Sequence, residues 1–489
     1  MAGIGFELKK LFKRRGLFAA FRAYGYAGIV CTGPMLLGVL LLLGVMFLCD
    51  VTGGTRHSRE LLVCMITYTL LASLLVTSFL SMVVTRFIAD MRYQENYEAI
   101  LPSFWGSTGI MLTVGSILYG IFLLFSGCGL TDGILCLCFF GELIITWNAM
   151  SYLTAIKDYR GILLSFTSAI LVTFLIGWIL LILGIPHVEA LLVAVCAGYG
   201  VMLLWDVILL YQYFPQGRES AFFFLHWVDE FLPLAFTGLF INIGMFAHLV
   251  IMWCGPIRVK VQGLFYGAPY YDVPALVAFL TILITTVNFV VSVEVNFYPK
   301  YKNYYSLFND RGAIGDIHQA GEEMKKVLNM ELKYTALKQL LTTALAISLG
   351  GSLLQYLPLG FNDLMEGYFR ILCVGYGLYA VANTVLLLLL YFTDYKGAVC
   401  TAGIFAGSTS VCTVISLFFP QVYYGFGFLI GSAVFFLIAV CRLDYYTRRL
   451  PYYILSVQPV VEEDKSGVFT RLGYFLDEKL ERSLDNEKL

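Results

Sequence analysis

Twelve runs of apolar residues, each long enough to cross a bilayer as a helix, divide this chain. They fall at 24–49, 61–85, 103–126, 133–156, 162–184, 189–213, 231–253, 273–297, 334–357, 368–392, 397–419 and 423–443. An even number of crossings puts both termini on one side. Of the 32 Lys and Arg residues, 27 lie in the segments on that side, and five (Arg56, Arg59, Arg258, Lys260 and Arg370) lie opposite. Positive charge is retained on the cytoplasmic face of a membrane, so both termini are predicted to be cytoplasmic.

The pattern also repeats. "KDYRG" (157–161) follows the fourth run and "TDYKG" (393–397) follows the tenth, six runs apart. A second echo, "RFIADMRYQENY" (86–97) and "NFYPKYKNYY" (296–305), follows the second and eighth runs and pairs Phe87 with Phe297. A third pairs Asn148 with Asn383, ten and eleven residues before their Asp-Tyr. Equivalent turns six crossings apart predict two six-helix lobes of the same orientation, related by a pseudo-twofold axis along the membrane normal. The predicted layout is a basic interfacial segment (1–23), an N-lobe (24–213), a cytoplasmic linker (214–230), a C-lobe (231–443) containing a cytoplasmic loop (298–333), and a cytoplasmic tail (444–489). The loop sequence predicts a helix with Glu322 and Glu323 both offset to meet Lys326. The tail contains "LGYFLDEKLERSL", a short amphipathic helix on an otherwise solvated segment.

Composition narrows the chemistry. The chain is 59% hydrophobic and only 13% charged over 489 residues, where soluble domains carry about 25% charge. An all-α polytopic membrane protein is the class this implies. The basic N-terminus precedes a run too long for a cleavable signal, so that run reads as the first crossing. No phosphate-binding GxxxxGK[ST] occurs, and the five histidines lack metal-ligand spacing. No cofactor, metal site or nucleic-acid partner is expected. No nucleotide-sugar motif supports a glycosyltransferase, so a non-enzyme is expected.

The opening "MAGIGFELKKLFKRRGLFAAFRAYGYAGIVCTGPML" resembles the start of the PelG family. The Gly-Ile-Gly-Phe-Glu-Leu start, the Arg-Ala-Tyr segment and Gly33-Pro34 carry the likeness. That family is similar to the flippases of the MATE/MOP superfamily, in which two six-helix lobes enclose a cavity. The resemblance implies export of a galactosamine-type exopolysaccharide across a bacterial inner membrane. It also implies a cytoplasmic glycosyltransferase and small membrane proteins as partners. It carries over no catalytic residues.

Polar residues within the apolar runs are the candidates for a substrate path, because a charge at mid-bilayer costs about 2.5–3.5 kcal/mol on insertion scales. These are Glu142, Asn148, Asp206, Asn242, His248, Asn288, Glu294 and Asn383, with Arg86 and Asn296 at the cytoplasmic mouth. Against each stands a packing role: Asn joins helices, His fills a core, and Glu294 and Arg86 snorkel. Pro34, Pro233 and Pro274 are hinge or kink candidates. The aromatic "FYGAPYYD" (265–272) is read as a guide for an emerging chain or as a turn. Four functions follow: a polysaccharide exporter, an ion-coupled small-molecule antiporter of the same fold, a membrane scaffold for a synthase, and an integral glycosyltransferase. The first is preferred.

Overall fold

The computed structural model describes residues 17–156, 158–217, 219–309, 312–356, 361–456 and 467–486. Most of the predicted N-terminal interfacial segment therefore lies outside the described residues. The chain is nearly all helical. Six long helices come first: α1 (Leu17–Val51), α2 (Arg56–Tyr93), α3 (Ile100–Ser126), α4 (Leu130–Ile156), α5 (Tyr159–Ile182) and α6 (His187–Tyr213). A short helix, α7 (Leu225–Glu230), leads to α8 (Leu232–Cys254) and an antiparallel hairpin of β1 (Val259–Gln262) and β2 (Phe265–Gly267). The remainder is α9 (Pro269–Phe279), α10 (Leu283–Val291), α11 (Tyr298–Asn309), α12 (Ile314–Tyr356), α13 (Asp363–Tyr391), α14 (Tyr395–Ser416), α15 (Phe426–Arg448), α16 (Leu450–Ser456) and α17 (Val468–Asn486). Among the described residues, ten helical segments are long and apolar enough to cross a membrane. Helices α1 and α12 carry the first and ninth predicted runs.

The chain gathers into two compact units. One holds residues 1–33, 247–257 and 268–459, and the other holds 34–246, 258–267 and 460–489. The chain thus changes unit within α1, at Gly33–Pro34, and within α8, at Phe246–Ala247.

The repeated pentapeptides form the same local structure. Asp158 caps α5 and Asp394 caps α14, with backbone angles of −84°, 67° and −80°, 66°. Each carboxylate accepts the N–H of the glycine three residues on, at 3.0 Å in both turns. Each Asp N–H returns to a carbonyl five residues back, Leu153 or Leu389. A Cβ on Gly161 or Gly397 would collide with the capping carboxylate, which accounts for glycine at the end of both motifs.

The register extends into the helices. Fifteen residues after each cap, Thr173 and Thr409 pack against Gly198 of α6 and Gly431 of α15. Such small-residue contacts let membrane helices approach closely. Leu209 and Arg442 then occupy matching positions beside the two capping turns. Here the halves differ. Arg442 binds Asp394 through two bonds, at 2.6 and 2.8 Å, while the one other side chain bonded to Asp158 among the described residues is Tyr213, through its hydroxyl at 3.1 Å. The same register aligns Asn148 with Thr384. The third sequence echo is therefore out of step by one residue, and one residue is a 100° turn of the helix. Asn148 is buried at 2% exposure and Asn383 is half-buried.

The long loop predicted at 298–333 holds α11 and the first part of α12, with non-helical Gly312 and Ala313 before α12 begins, and so contains the helix its sequence predicts. Its ion pairs differ from expectation. Glu322 meets Lys325 at 3.2 Å and Glu323 meets Lys300 at 2.7 Å, because α11 packs on α12 and supplies a nearer cation. The tail is not simply solvated. Its predicted amphipathic helix forms α17 and packs on α7, in the unit of residues 34–246.

The capping turns give a test. Asp158→Ala removes a helix cap, a loss of about 1 kcal/mol. Asp394→Ala also strands Arg442, so it is expected to cost roughly 2–3 kcal/mol. Arg442→Leu, which installs the residue the first half carries there, leaves the cap bond intact and should cost less than Asp394→Ala. Thermal unfolding of the purified proteins in one detergent ranks the three, and an Arg442→Leu cost equal to that of Asp394→Ala contradicts the account.

Candidate functional site

Two of the candidate residues are acids with unmet hydrogen bonds. Asp206, on α6, is 0% exposed, and among the described residues neither carboxylate oxygen has a hydrogen-bond partner within bonding geometry. Ser165 of α5 faces it, but its hydroxyl donates to the Ile162 carbonyl at 2.9 Å. Glu142, on α4, is half-buried and lies against Gly200 of α6, with Oε2 buried and unbonded. Burying a polar group without a partner costs about 1–3 kcal/mol. The repeat register sharpens this. It places Leu378 at the position of Glu142 and Ala439 at that of Asp206, so neither acid has an acidic counterpart in the second half.

The second half carries a different polar cluster. Asn288 of α10 is buried and donates to the Thr335 hydroxyl at 2.7 Å and to Ser292 at 3.3 Å, while its Oδ1 accepts from Lys338. One turn earlier, Thr285 donates to Gln339, and Gln339 donates to Thr343 at 3.2 Å. Thr335, Lys338, Gln339 and Thr343 belong to α12 and did not figure among the sequence candidates. Their spacing of three and four residues puts them along one face of a helix. That stripe was the signal available.

The other candidates divide by their partners. Asn148 donates to Ser107 at 2.9 Å and Thr108 at 2.8 Å, joining α4 to α3. His248 has both ring nitrogens engaged, by the Tyr271 hydroxyl at 2.9 Å and the Tyr376 hydroxyl at 3.3 Å, and its ring lies 4.3 Å from that of Phe428. It is a packed core residue. Asn242 donates to Gly238 of its own helix at 3.0 Å. Asn296 is exposed and donates to Glu331 at 2.8 Å. Arg86 sits 3.0 Å from Asp90 and over the Phe231 ring. The side chain of Glu294 is outside the described set; its backbone lies in a widened π-turn, Ser292–Phe297, between α10 and α11.

The prolines also separate. Helix α1 runs unbroken through Pro34. Pro233 is in the first turn of α8, where its missing N–H costs no intrahelical bond. Pro274 lies inside α9, and that segment tightens to a 3₁₀ turn at Leu280–Ile282 before the π-turn. The eighth crossing is the irregular one. In "FYGAPYYD", Phe265 and Tyr271 are both fully buried, so those two rings serve packing.

Ten long apolar helical segments among the described residues, with matching capping turns and helix seams around Asp158 and Asp394, define a polytopic membrane protein. The chain belongs to the PelG family, described as an exopolysaccharide exporter (EPS-E), which it matches over residues 1–455. No curated relative matches it. Solved structures establish the fold. A Vibrio cholerae MATE transporter, VcmN, is similar with a TM-score of 0.59 and 12% identity, over 88% of this chain and 99% of its own. The lipid II flippase MurJ, in an inward closed conformation, gives 0.56 and 13% over 94% and 99%. A MOP superfamily transporter from Pyrococcus furiosus gives 0.56 and 12% over 87% and 95%. The twelve-helix, two-lobe layout expected from the sequence is consistent with this MOP fold.

Asp206 yields a prediction about stability. Asp206→Ala installs the residue of the second half and removes an unpartnered carboxyl. It is expected to raise thermal stability in detergent, by about 1–3 kcal/mol. A fall in stability would mean that the carboxyl has a structural partner.

Proposed function

We propose that this transporter exports a galactosamine-type exopolysaccharide from the cytoplasm across the bacterial inner membrane, along a cavity between its two lobes. It works within a Pel-like complex, receiving the polymer from a cytoplasmic glycosyltransferase with small membrane proteins as partners. The family match across residues 1–455 carries this reading. The MOP-type helical fold supports passage of a substrate across the membrane. Glu142 is the residue assigned to the path.

Export is tested in a strain that secretes the polymer, with deletion of the gene expected to abolish secretion. Glu142→Leu is expected to lower secreted polymer at least fivefold at unchanged membrane levels of the protein. Glu142→Gln retains most secretion if the residue only hydrogen-bonds the polymer. It abolishes secretion if the residue carries a coupling proton, the outcome that favours an ion-coupled mechanism. Undiminished secretion by Glu142→Leu removes Glu142 from the path.

Orientation is tested separately. Cysteine introduced at exposed Leu264 should add labelling by an impermeant thiol reagent in cells with a permeabilised outer membrane, above the background of the native cysteines. Cysteine at exposed Lys396 should add none. The reverse pattern would invert the topology.

A further inference from the structure

The tail helix α17 is held on α7 by a built seat. Asp229, the fifth residue of α7, accepts bonds from the Phe469 N–H at 3.2 Å and from the Thr470 N–H and hydroxyl at 2.7 Å each. Two turns along, Ser220 donates to Asp477. Between these bonds Gly473 lies against the Phe222 carbonyl and Leu225. All of these residues belong to the unit of residues 34–246, 258–267 and 460–489.

The seat is level with the ends of the second and third predicted crossings, 61–85 and 103–126. Trp227 of α7 meets Phe87 of α2 edge-on at 5.0 Å and donates to Asp90 at 3.0 Å, just past the end of the second. Ala221 lies against Gly106 of α3, three residues inside the third, closely enough that a Cβ on Gly106 would meet the Ala221 carbonyl. The Phe469 ring lies 6.4 Å from Phe79, six residues inside the second. At 1.5 Å of helix per residue, each of these markers falls within about 10 Å of a crossing end. One end of α17 rests beside Phe79 and the third turn rests on Ser220, next to Ala221. The helix therefore runs along the membrane boundary and does not project from it.

The outward side of α17 divides into two stripes. At 100° per residue, exposed Val468, Leu472 and Phe475 fall within about 60° of one another. Exposed Arg471, Tyr474 and Glu478 form a second stripe, about 90° away. Thr470 and Gly473 are buried in the seat. The Lys479 ammonium lies 4.7 Å from the centre of the Phe475 ring. That is the posture of a lysine whose stem follows an apolar surface while its charge stays in a polar layer.

We propose that α17 is an interfacial helix whose apolar stripe is set into the bilayer, in the leaflet on the side of the chain termini. The occupant of the stripe is phospholipid at the headgroup–acyl boundary. Helices of this kind bury their apolar face about 5–10 Å into that boundary, the depth at which Phe79 and Gly106 place this one. Charge does not drive the contact. Over residues 467–486, Arg471, Lys479 and Arg482 are outnumbered by Asp477, Glu478, Glu481 and Asp485, so apolar burial supplies the attraction and anionic lipid adds nothing to it. The assignment holds whatever the chain transports.

The test places the purified full chain in phosphatidylcholine vesicles containing a phospholipid with a diazirine near the glycerol end of one acyl chain. After illumination, mass spectrometry should find adducts on Val468, Leu472 or Phe475. Moving the diazirine to the chain end should cut their yield at least fivefold and favour Ile117 and Leu118, exposed in the middle of the third crossing. Tyr93, exposed eight residues past the second crossing, should stay unlabelled by both lipids. Replacing half of the phosphatidylcholine with phosphatidylglycerol should leave the α17 yield unchanged within twofold. Cells fed a diazirine fatty acid should give the same α17 adducts. Adducts on Ile117 and Leu118 with none on α17 mean that the stripe faces water, and they overturn the proposal. A larger rise with phosphatidylglycerol assigns the contact to charge and overturns the apolar account. Adducts in vesicles but not in cells make a protein the occupant and overturn the lipid assignment.

Discussion

Hydrocarbon offers no hydrogen bonds, so every polar group carried into it must bring its own partner. Most of this structure obeys that constraint by local means. Thr69 returns its hydroxyl to Met65, Thr77 to Ser73 and Thr401 to Gly397, each four residues back on its own helix. Asn148 spends its amide on neighbouring hydroxyls, and His248 is held between two tyrosines. Among the described buried groups left without a bond, which also include Asn148 Oδ1 and several Thr and Ser hydroxyls, Glu142 and Asp206 are the carboxyls that lie within predicted crossings. The same rule that makes the other residues structural makes these two candidates for function.

Much of the fold was legible because its signals are local. An apolar run of spanning length reads directly as a helix, and the Asp-Tyr-Lys/Arg-Gly turn encodes its cap within four residues. What was hidden depends on contacts distant in sequence. Lys338 lies inside the ninth apolar run, and only the packing of α12 on α10 brings it to Asn288. Glu323 was expected to pair three residues along its own helix but finds Lys300 on another. The tail helix was visible as an amphipathic segment, whereas its seat, 240 residues earlier at Asp229, was not. The Asn148–Asn383 echo failed for a geometric reason. Counting residues to the nearest motif ignores that a one-residue offset turns the side chain to a different face.

The two halves share a scaffold and differ in chemistry. Caps, close helix seams and turn geometry coincide, while charge does not. The first half holds two carboxyls in its helix seams where the second has Leu378 and Ala439. The second half secures its capping turn with Arg442, and its lysine and amides form a connected cluster. Caps and close helix seams occur in both copies, while the two buried carboxyls occur in the first only.

Helix α12 is 43 residues long, about 64 Å of continuous rod and roughly twice the thickness of the bilayer's hydrocarbon. Its charged first turns, braced by α11 through Lys300 and Glu323, stand well away from Lys338 and Gln339. A rod of that length converts a small tilt into a large sideways displacement. Whatever grips its charged end holds a long handle on the polar cluster, and a push of a few ångströms there arrives at α10 as torque.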